Sequence, residues 1–312
     1  MPSTSPSRPV DVSRRSLVAA SGLTAAILAG SLVPALGSLT ALAQAAPQRI
    51  VAAGGVITEI LYALGLQDQI VGVDTTSLHP PQALKDKPNV GYVRALSAEG
   101  VLSLKPTLVI AIDGAGPPDT IKLIAEAGIR VERLGEDLTP KGIVERIRAV
   151  GRLANATPQA DTLADAIDKR FQALAREREA LAARKRVLFV LSLQNGRVVV
   201  GGRHSGADAI ITLAGAVNAA EAVDGYKPLT DEGVIAAAPD VVLVMQRGDH
   251  ALSPSDVFGL PAFAATPAAR NRSLVSMDGL YLLGFGPRTP EAAHDLMAAA
   301  YGLGEAAGGR RQ

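Results

Sequence analysis

The chain has 312 residues, of which 48% are hydrophobic and 20% charged, and its 31 Lys and Arg against 30 Asp and Glu give a formal net charge of +1. This composition predicts a folded globular protein, and the even charge balance argues against a nucleic-acid partner, which requires a basic surface. The sequence has no cysteine, so disulfides, thiolate metal sites and cysteine nucleophiles are excluded.

Residues 1–45 have the pattern of an export signal. Arg14 and Arg15 precede an apolar run that ends near small-residue cleavage sites at 41–45. A basic start, an apolar middle and small residues before the cut define a signal peptide. The paired arginines resemble the twin-arginine type, with an ordinary secretory signal as the alternative. We therefore predict export to the periplasm, and a mature chain that does not span a membrane.

Short apolar runs separated by glycine and proline predict the elements of a first α/β lobe. A helix is expected at 56–64, where Gly65 stops it. The predicted strands of this lobe are 49–53, 70–73, 108–112 and 130–134.

A duplicated segment predicts a second lobe built like the first. Residues 96–111 and 229–244 share a Ser or Thr cap, acidic residues in a first helical turn, a short apolar helix, a proline and a buried strand. A Gly-Tyr pair precedes each copy, and its tyrosine is Tyr92 in the first copy and Tyr226 in the second. The repeat indicates two α/β lobes related by approximate two-fold symmetry.

One long helix is predicted between the lobes. Residues 158–185 contain no glycine, no proline after the first residue, and apolar residues at helical spacing. Such a helix would run about 40 Å and hold the lobes nearly fixed, so we expect limited closure on ligand binding. The strands of the second lobe are predicted at 187–191, 198–200, 241–244 and 274–276. The predicted organisation is a signal peptide at 1–45, a first lobe at 46–156, a spanning helix at 157–185 and a second lobe at 186–312.

Three stretches resemble haem-binding proteins, at residues 91–102, 213–219 and 277–288. Over residues 48–302 the chain is similar to the substrate-binding proteins of cobalamin, siderophore and haem ABC importers, and to the haem-binding members in particular. The resemblance implies an α/β class III periplasmic binding protein. This fold has two Rossmann-like lobes of pseudo-two-fold symmetry, one spanning helix, and a ligand in the inter-lobe cleft.

The same resemblance implies a function. A monomeric carrier would capture haem b (haemin) and deliver it to an ABC permease dimer with its ATPase subunits. Ferric-siderophore and cobalamin carriers share the fold and stay open as alternatives. An enzyme is disfavoured, because the sequence has no dinucleotide-binding, P-loop, nucleophile-elbow or HExxH motif. Its four scattered histidines also disfavour a site for a bare metal ion.

The resemblance places the haem-iron ligand on Tyr92, in a Gly-Tyr-x-Arg motif. Fe(III) is a hard acid that suits an anionic phenolate oxygen, and tyrosinate ligation of haem has precedent. Arg94 follows two residues later and is a candidate partner for a propionate or for the phenolate. From the residue alone, a tyrosine of the cleft wall is the competing interpretation.

Four further residues are candidates for contact with haem. Tyr226 occupies the position equivalent to Tyr92 in the second lobe, as a second ligand or as part of the wall. Tyr281 and Arg288 belong to the third stretch, where the resemblance implies a hydrogen bond from Tyr281 to a propionate and Arg288 is a further candidate cation. His204 lies on a predicted turn that could face the cleft, although a solvated loop histidine is the commoner case.

Glu99 and Glu232 stand at equivalent helix starts in the two copies of the repeat. The resemblance implies that such glutamates dock onto arginines of the two permease subunits. Each glutamate also stabilises the N-terminus of its helix by about 0.3–1 kcal/mol, so the two roles are compatible.

Overall fold

A computed structural model describes residues 48–194, 197–246 and 252–303. The predicted signal peptide lies outside these residues. The described part of the chain contains no helix that is both long and apolar enough to cross a membrane.

The first lobe alternates strands with helices. In chain order its elements are β1 (Ile50–Ala53), α1 (Gly55–Ala63), a 3-10 turn (Gln67–Gln69), β2 (Ile70–Val73), α2 (Gln82–Asp86), β3 (Gly91–Tyr92), β4 (Ala95–Leu96), α3 (Ala98–Ser103), β5 (Leu108–Ile112), α4 (Pro118–Glu126), β6 (Arg130–Leu134) and α5 (Pro140–Leu153). Strands β2, β5 and β6 have the predicted bounds, and β1 and α1 differ from prediction by one residue.

The sheet of this lobe is parallel and has the order β2-β1-β5-β6. Successive residues of a strand point to opposite faces. Ile50 and Ala52 of β1 accordingly join the core beneath α1 and α5, whereas Val51 and Ala53 join the core beneath α3 and α4. Helices on both faces explain why β1 is buried along its whole length.

The second lobe has a mixed sheet. It follows α6 (Thr157–Glu179), the helix between the lobes. Its elements are β7 (Arg186–Gln194), β8 (Arg197–Gly201), α7 (Gly206–Leu213), β9 (Val217–Asn218), β10 (Tyr226–Leu229), α8 (Asp231–Ala237), β11 (Val241–Gln246), α9 (Pro254–Phe258), α10 (Pro261–Ala264), α11 (Pro267–Asn271), β12 (Leu274–Asp278), α12 (Gly279–Leu283) and α13 (Thr289–Tyr301).

Strand pairing distinguishes this sheet from that of the first lobe. Its main path runs β10-β8-β7-β11-β12, and β9 also pairs with β7. Strands β11, β12 and β9 run parallel to their partners, but β8 pairs antiparallel with both β7 and β10. All four predicted strands of this lobe are present.

Helix α6 ends at Glu179, six residues before the predicted end at residue 185. Its 23 residues span about 35 Å. The next residues contact the second lobe instead of continuing the helix. Arg184 Nη1 donates to the carbonyl of Gly215 at 2.8 Å, and the N–H of Lys185 donates to the hydroxyl of Tyr301 at 3.1 Å. Tertiary contacts therefore end a helix that the composition alone would extend.

The duplicated segment repeats its backbone geometry in both lobes. Ser97 caps α3 by accepting the N–H of Gly100 at 2.9 Å, and Thr230 caps α8 by accepting that of Gly233 at 3.1 Å. Each helix is followed by a residue with positive φ and then by proline and the next buried strand. The repeat predicted from sequence is thus confirmed as a structural repeat.

Candidate functional site

A cavity of about 320 Å³ lies between the two lobes. Ligand pockets in proteins commonly measure roughly 300–1,000 Å³. Both lobes line it, through Gly55, Val56, Thr76, Tyr92, Val93, Arg94, Ile112, Glu136, Leu138 and Arg146 of the first and Gly206, Tyr226, Leu280, Leu283, Gly284 and Phe285 of the second. We call this cavity the cleft.

The topology of the first lobe explains why these residues meet. Gly55, Thr76 and Glu136 follow the carboxyl ends of β1, β2 and β6, and Ile112 is the last residue of β5. Carboxyl ends of parallel strands share one edge of a sheet, which is where ligands bind in open α/β folds. The cleft therefore lies at the edge that the fold class predicts for a ligand.

Tyr92 reaches the cleft from a short hairpin. Strand β3 pairs antiparallel with β4, and Gly91, with φ of +102°, supplies a backbone conformation that other residues rarely adopt. The Tyr92 side chain is 48% exposed. Among residues 48–194, 197–246 and 252–303, none forms a hydrogen bond or ion pair with its hydroxyl or with the guanidinium of Arg94. Both groups are free to meet a ligand.

Tyr226 reaches the same cleft from the second lobe. Its ring contacts Phe189 edge-on, with centroids 6.3 Å apart, and its hydroxyl lies at the start of α7. Burial raises the pKa of Tyr226, while hydrogen bonds from the backbone of Ala207, the side chain of Ser205 and the backbone of Gly206 act in the opposite direction. Unlike the hydroxyl of Tyr92, this hydroxyl is held by its own lobe.

Arg146 of α5 is a cleft residue that sequence reasoning missed. Only 5% of its surface is exposed, and its Nη1 donates to the carbonyl of Phe285 in the other lobe at 2.9 Å. Burial lowers the pKa of Arg146. Phe285 is itself unusual, because a buried aromatic residue has a φ of +50°, and strained backbone of this kind concentrates at ligand sites. An arginine among the apolar residues of an amphipathic helix was the signal available in the sequence.

Tyr281 and Arg288 lie in a neighbouring cavity of about 390 Å³ and not among the residues that line the cleft. The Tyr281 hydroxyl donates to Asp295 at 2.9 Å, and Arg288 lies over the Tyr281 ring, 5.1 Å from its centroid. Burial and the carboxylate of Asp295 raise the pKa of Tyr281. Leu280 borders both cavities, so the two are adjacent. Contact of these two residues with a propionate stays a prediction.

Arg288 is also paired across the lobe boundary with Glu59 of α1. The Glu59 carboxylate accepts the Arg288 guanidinium at 2.8 Å and the Arg288 backbone N–H at 3.3 Å. Sequence reasoning did not single out Glu59, although an acidic residue inside the apolar run of α1 was visible.

The remaining predicted residues are exposed outside the cleft. Nδ1 of His204 donates to the carboxylate of Asp224 at 2.7 Å, and His204 is not a lining residue of the cleft. Glu99 and Glu232 lie in the first turns of α3 and α8, as the repeat predicted. Their docking role stays a prediction.

The described residues contain no cluster of three or more His, Cys, Asp or Glu that could hold a metal ion. The cleft instead offers two phenols, two guanidinium groups, one carboxylate and an apolar lining. Such a lining suits an amphipathic anion better than a bare cation, which requires several converging oxygen or imidazole ligands.

Known proteins resemble the chain in both sequence and structure. The sequence model of the family described as periplasmic binding protein matches residues 50–280. The structure of the periplasmic heme-binding protein BhuT in complex with two hemes is 40% identical, with a TM-score of 0.78 over 81% of this chain and 97% of that chain.

Two further relatives cover most of the chain. The periplasmic heme-binding protein RhuT from Roseiflexus sp. RS-1, in apo form, is 39% identical, with a TM-score of 0.77 over 82% of this chain and 98% of that chain. A vitamin B12-binding protein of Vibrio cholerae is 25% identical over 250 residues, which cover 80% of this chain and 87% of the relative. The two-lobed α/β fold predicted from the sequence is confirmed, and the chain belongs to the periplasmic binding protein family.

Proposed function

We propose that this protein binds haem in the cleft and delivers it to an ABC importer. The observation that carries the proposal is the hydroxyl of Tyr92, which has no partner among the described residues and shares one cavity with Arg94 and Tyr226. Tyr92 is the proposed iron ligand.

The chemistry of the cleft supports this assignment. Phenolate is a hard anionic ligand that suits Fe(III). The apolar side chains that line the cleft, among them Val56, Leu138 and Leu283, suit the face of a porphyrin, and the nearby cations suit its carboxylates. Haem b is the proposed form, because the sequence has no cysteine to which a c-type haem could be covalently attached.

The relatives support the same ligand. The heme-binding proteins BhuT and RhuT are 40% and 39% identical to this chain, whereas the vitamin B12-binding relative is 25% identical. The proposed partner is a permease dimer with its ATPase subunits, engaged by Glu99 and Glu232. Membership of the periplasmic binding protein family implies an exported protein, and Arg14 and Arg15 support the twin-arginine route as the finer proposal.

A haemin titration followed by visible absorption tests the proposal. The mature chain should give a saturable high-spin spectrum with tyrosinate charge-transfer bands. These bands should be lost in Tyr92→Phe, which removes the hydroxyl and preserves the ring. Tyr62→Phe is the matched control, because Tyr62 lies on α1 and does not line the cleft.

The outcome separates the candidate ligands. Saturable binding of haemin that is lost with the Tyr92 hydroxyl supports the haem carrier and its ligand together. No saturable haemin binding, combined with binding of cobalamin or of a ferric siderophore, would contradict the haem function and retain the carrier fold.

A further inference from the structure

Arg146 carries a buried charge that no acidic side chain within the described ranges neutralises at close range. Its guanidinium forms no ion pair with a carboxylate among the described residues. Glu136 and Asp137 act on it only through space, and both are exposed. Buried charges in proteins are normally paired, so an unpaired guanidinium that lines a ligand cavity needs an explanation.

The hydrogen bonds of Arg146 are made to main-chain carbonyls. Nε and Nη2 both donate to Gly135, at 3.3 and 3.1 Å, Nη2 also donates to Asp137 at 3.1 Å, and Nη1 donates to Phe285 at 2.9 Å. A guanidinium has five N–H donors, and these bonds use four of them. The unused N–H belongs to Nη1, the nitrogen that bonds Phe285, and both Arg146 and Phe285 line the cleft.

We propose that Arg146 is a specificity-determining residue, a buried counter-charge that binds a carboxylate of the ligand in the cleft. The inference rests on the haem function proposed above and names the carboxylate as the group of the ligand that the cleft recognises. An incoming carboxylate accepts the unused N–H of Nη1 and neutralises the buried charge, while the carbonyls of Gly135, Asp137 and Phe285 keep the guanidinium in place.

Two properties separate this role from that of Arg94. Arg94 is exposed, so its attraction for an anion falls as salt screens it, whereas a buried charge is screened much less. Arg146 also bonds both lobes, since Gly135 belongs to the first lobe and Phe285 to the second. The carboxylate is therefore bound where the lobes meet.

The test compares haemin with haemin dimethyl ester, which lacks the two carboxylates, in one detergent-containing buffer. The unmutated protein should prefer haemin by about 10- to 100-fold, the range that a hydrogen bond to a charged group supports. In 1 M NaCl, which screens the exposed Arg94, Arg146→Gln should reduce this preference to near unity with little change in ester affinity. Arg148→Gln is the control on the same helix, because Arg148 pairs with Asp161 and Asp165 and does not line the cleft.

If Arg146→Gln does not fold, the salt dependence of haemin binding by the unmutated protein tests the proposal instead. The preference of the unmutated protein for haemin should persist in 1 M NaCl, and Arg146→Lys, which keeps the charge, should retain part of it. An equal loss of affinity for both porphyrins in Arg146→Gln, or a preference that disappears in high salt, would overturn the counter-charge role. Equal binding of both porphyrins by the unmutated protein would do the same and leave the haem function intact, whereas binding of neither would overturn the haem function itself.

Discussion

The carboxylate of Glu59 and the guanidinium of Arg288 form an ion pair of 2.8 Å across the boundary between the lobes. Glu59 lies on the first helix of the first lobe and Arg288 at the start of the last helix of the second. The Glu59 side chain is 7% exposed and that of Arg288 is 30% exposed. The buried carboxylate of Glu59 therefore needs its partner more than Arg288 does, because water reaches the Arg288 guanidinium.

Arg288→Ala should destabilise the protein more than Glu59→Gln does. The first change leaves a buried carboxylate without a partner, which typically costs about 3–5 kcal/mol. The second leaves an arginine that water already reaches. Urea unfolding measures both, with Arg133→Ala as a control at an exposed arginine. A larger loss of unfolding free energy in Glu59→Gln than in Arg288→Ala would contradict this prediction.

His79 should make the stability of the protein depend on pH. Burial and, after it, Arg288 lower the pKa of His79, while Glu59 and Asp278 raise it by less. The folded pKa then lies below the unfolded value of about 6.5. Between these two values the unfolded chain binds more protons, so the stability contributed by His79 is present above pH 6.5 and is lost as the pH falls through the folded pKa.

Urea unfolding between pH 5 and pH 8 should show this dependence. The part of the slope that belongs to His79 should disappear in His79→Gln. An NMR titration of the imidazole, assigned by its absence in the same variant, should give a pKa below 6.5. A pKa above that value would contradict the prediction.

The caps of the structural repeat should contribute equally and independently. Ser97→Ala and Thr230→Ala each remove a hydrogen bond at the start of a helix and should each lower the free energy of unfolding by about 1 kcal/mol. The double variant should lose the sum, because the caps lie in different lobes and share no partner. Ser97→Thr, which retains the hydroxyl, should lose much less. A double variant that departs from the sum would show coupling between the lobes.

Tyr226→Phe should keep the tyrosinate charge-transfer bands of the haemin complex. The hydroxyl of Tyr226 is engaged by Ser205 and the start of α7, whereas that of Tyr92 has no partner among the described residues. Loss of the Tyr226 hydroxyl should instead lower stability by about 1 kcal/mol, as expected for one hydrogen bond. Bands that vanish in Tyr226→Phe and persist in Tyr92→Phe would move the iron ligand to the second lobe.

Glu99→Ala combined with Glu232→Ala should spare haemin binding and impair uptake. Both glutamates lie outside the cleft and are exposed in the first turns of α3 and α8. Haem-dependent growth of a strain that carries the cognate permease measures the effect. Glu126→Ala with Glu145→Ala is the control pair, because these residues lie on other exposed helix surfaces. Normal uptake in the first double variant would reject the docking role.

Local sequence predicted the strands well, because glycine, proline and charged residues bound the apolar runs. Strand β5 (Leu108–Ile112), preceded by Pro106 and followed by Gly114, has the predicted bounds. Strand pairing was less accessible. The antiparallel pairing of β8 with β10 joins residues far apart in the chain, and no local pattern specifies it. The end of α6 was misjudged for the same reason, since contacts of Arg184 and Lys185 with the second lobe determine it.

The candidate site was predicted in part. The repeat brings Tyr92 and Tyr226 into one cleft, as the symmetry suggested. In α12, however, neighbouring side chains point about 100° apart, so Leu280 lines the cleft while Tyr281 lines only the adjacent cavity. Arg146 was visible as a charge in an apolar helix face. Its position in the cleft depends on packing between the lobes, which a single sequence does not reveal.

The segment from Phe285 to Arg288 is held at both ends by charged side chains of the first lobe, Arg146 and Glu59. Both of these contacts are polar, although the Phe285 ring itself lies in the apolar core. When a polar contact of this kind separates, water enters and rehydrates the freed carboxylate and guanidinium, which offsets part of the energy of the broken bonds. A transporter that separates the lobes would break two contacts that water can replace, and both can form again in the same arrangement when the lobes close.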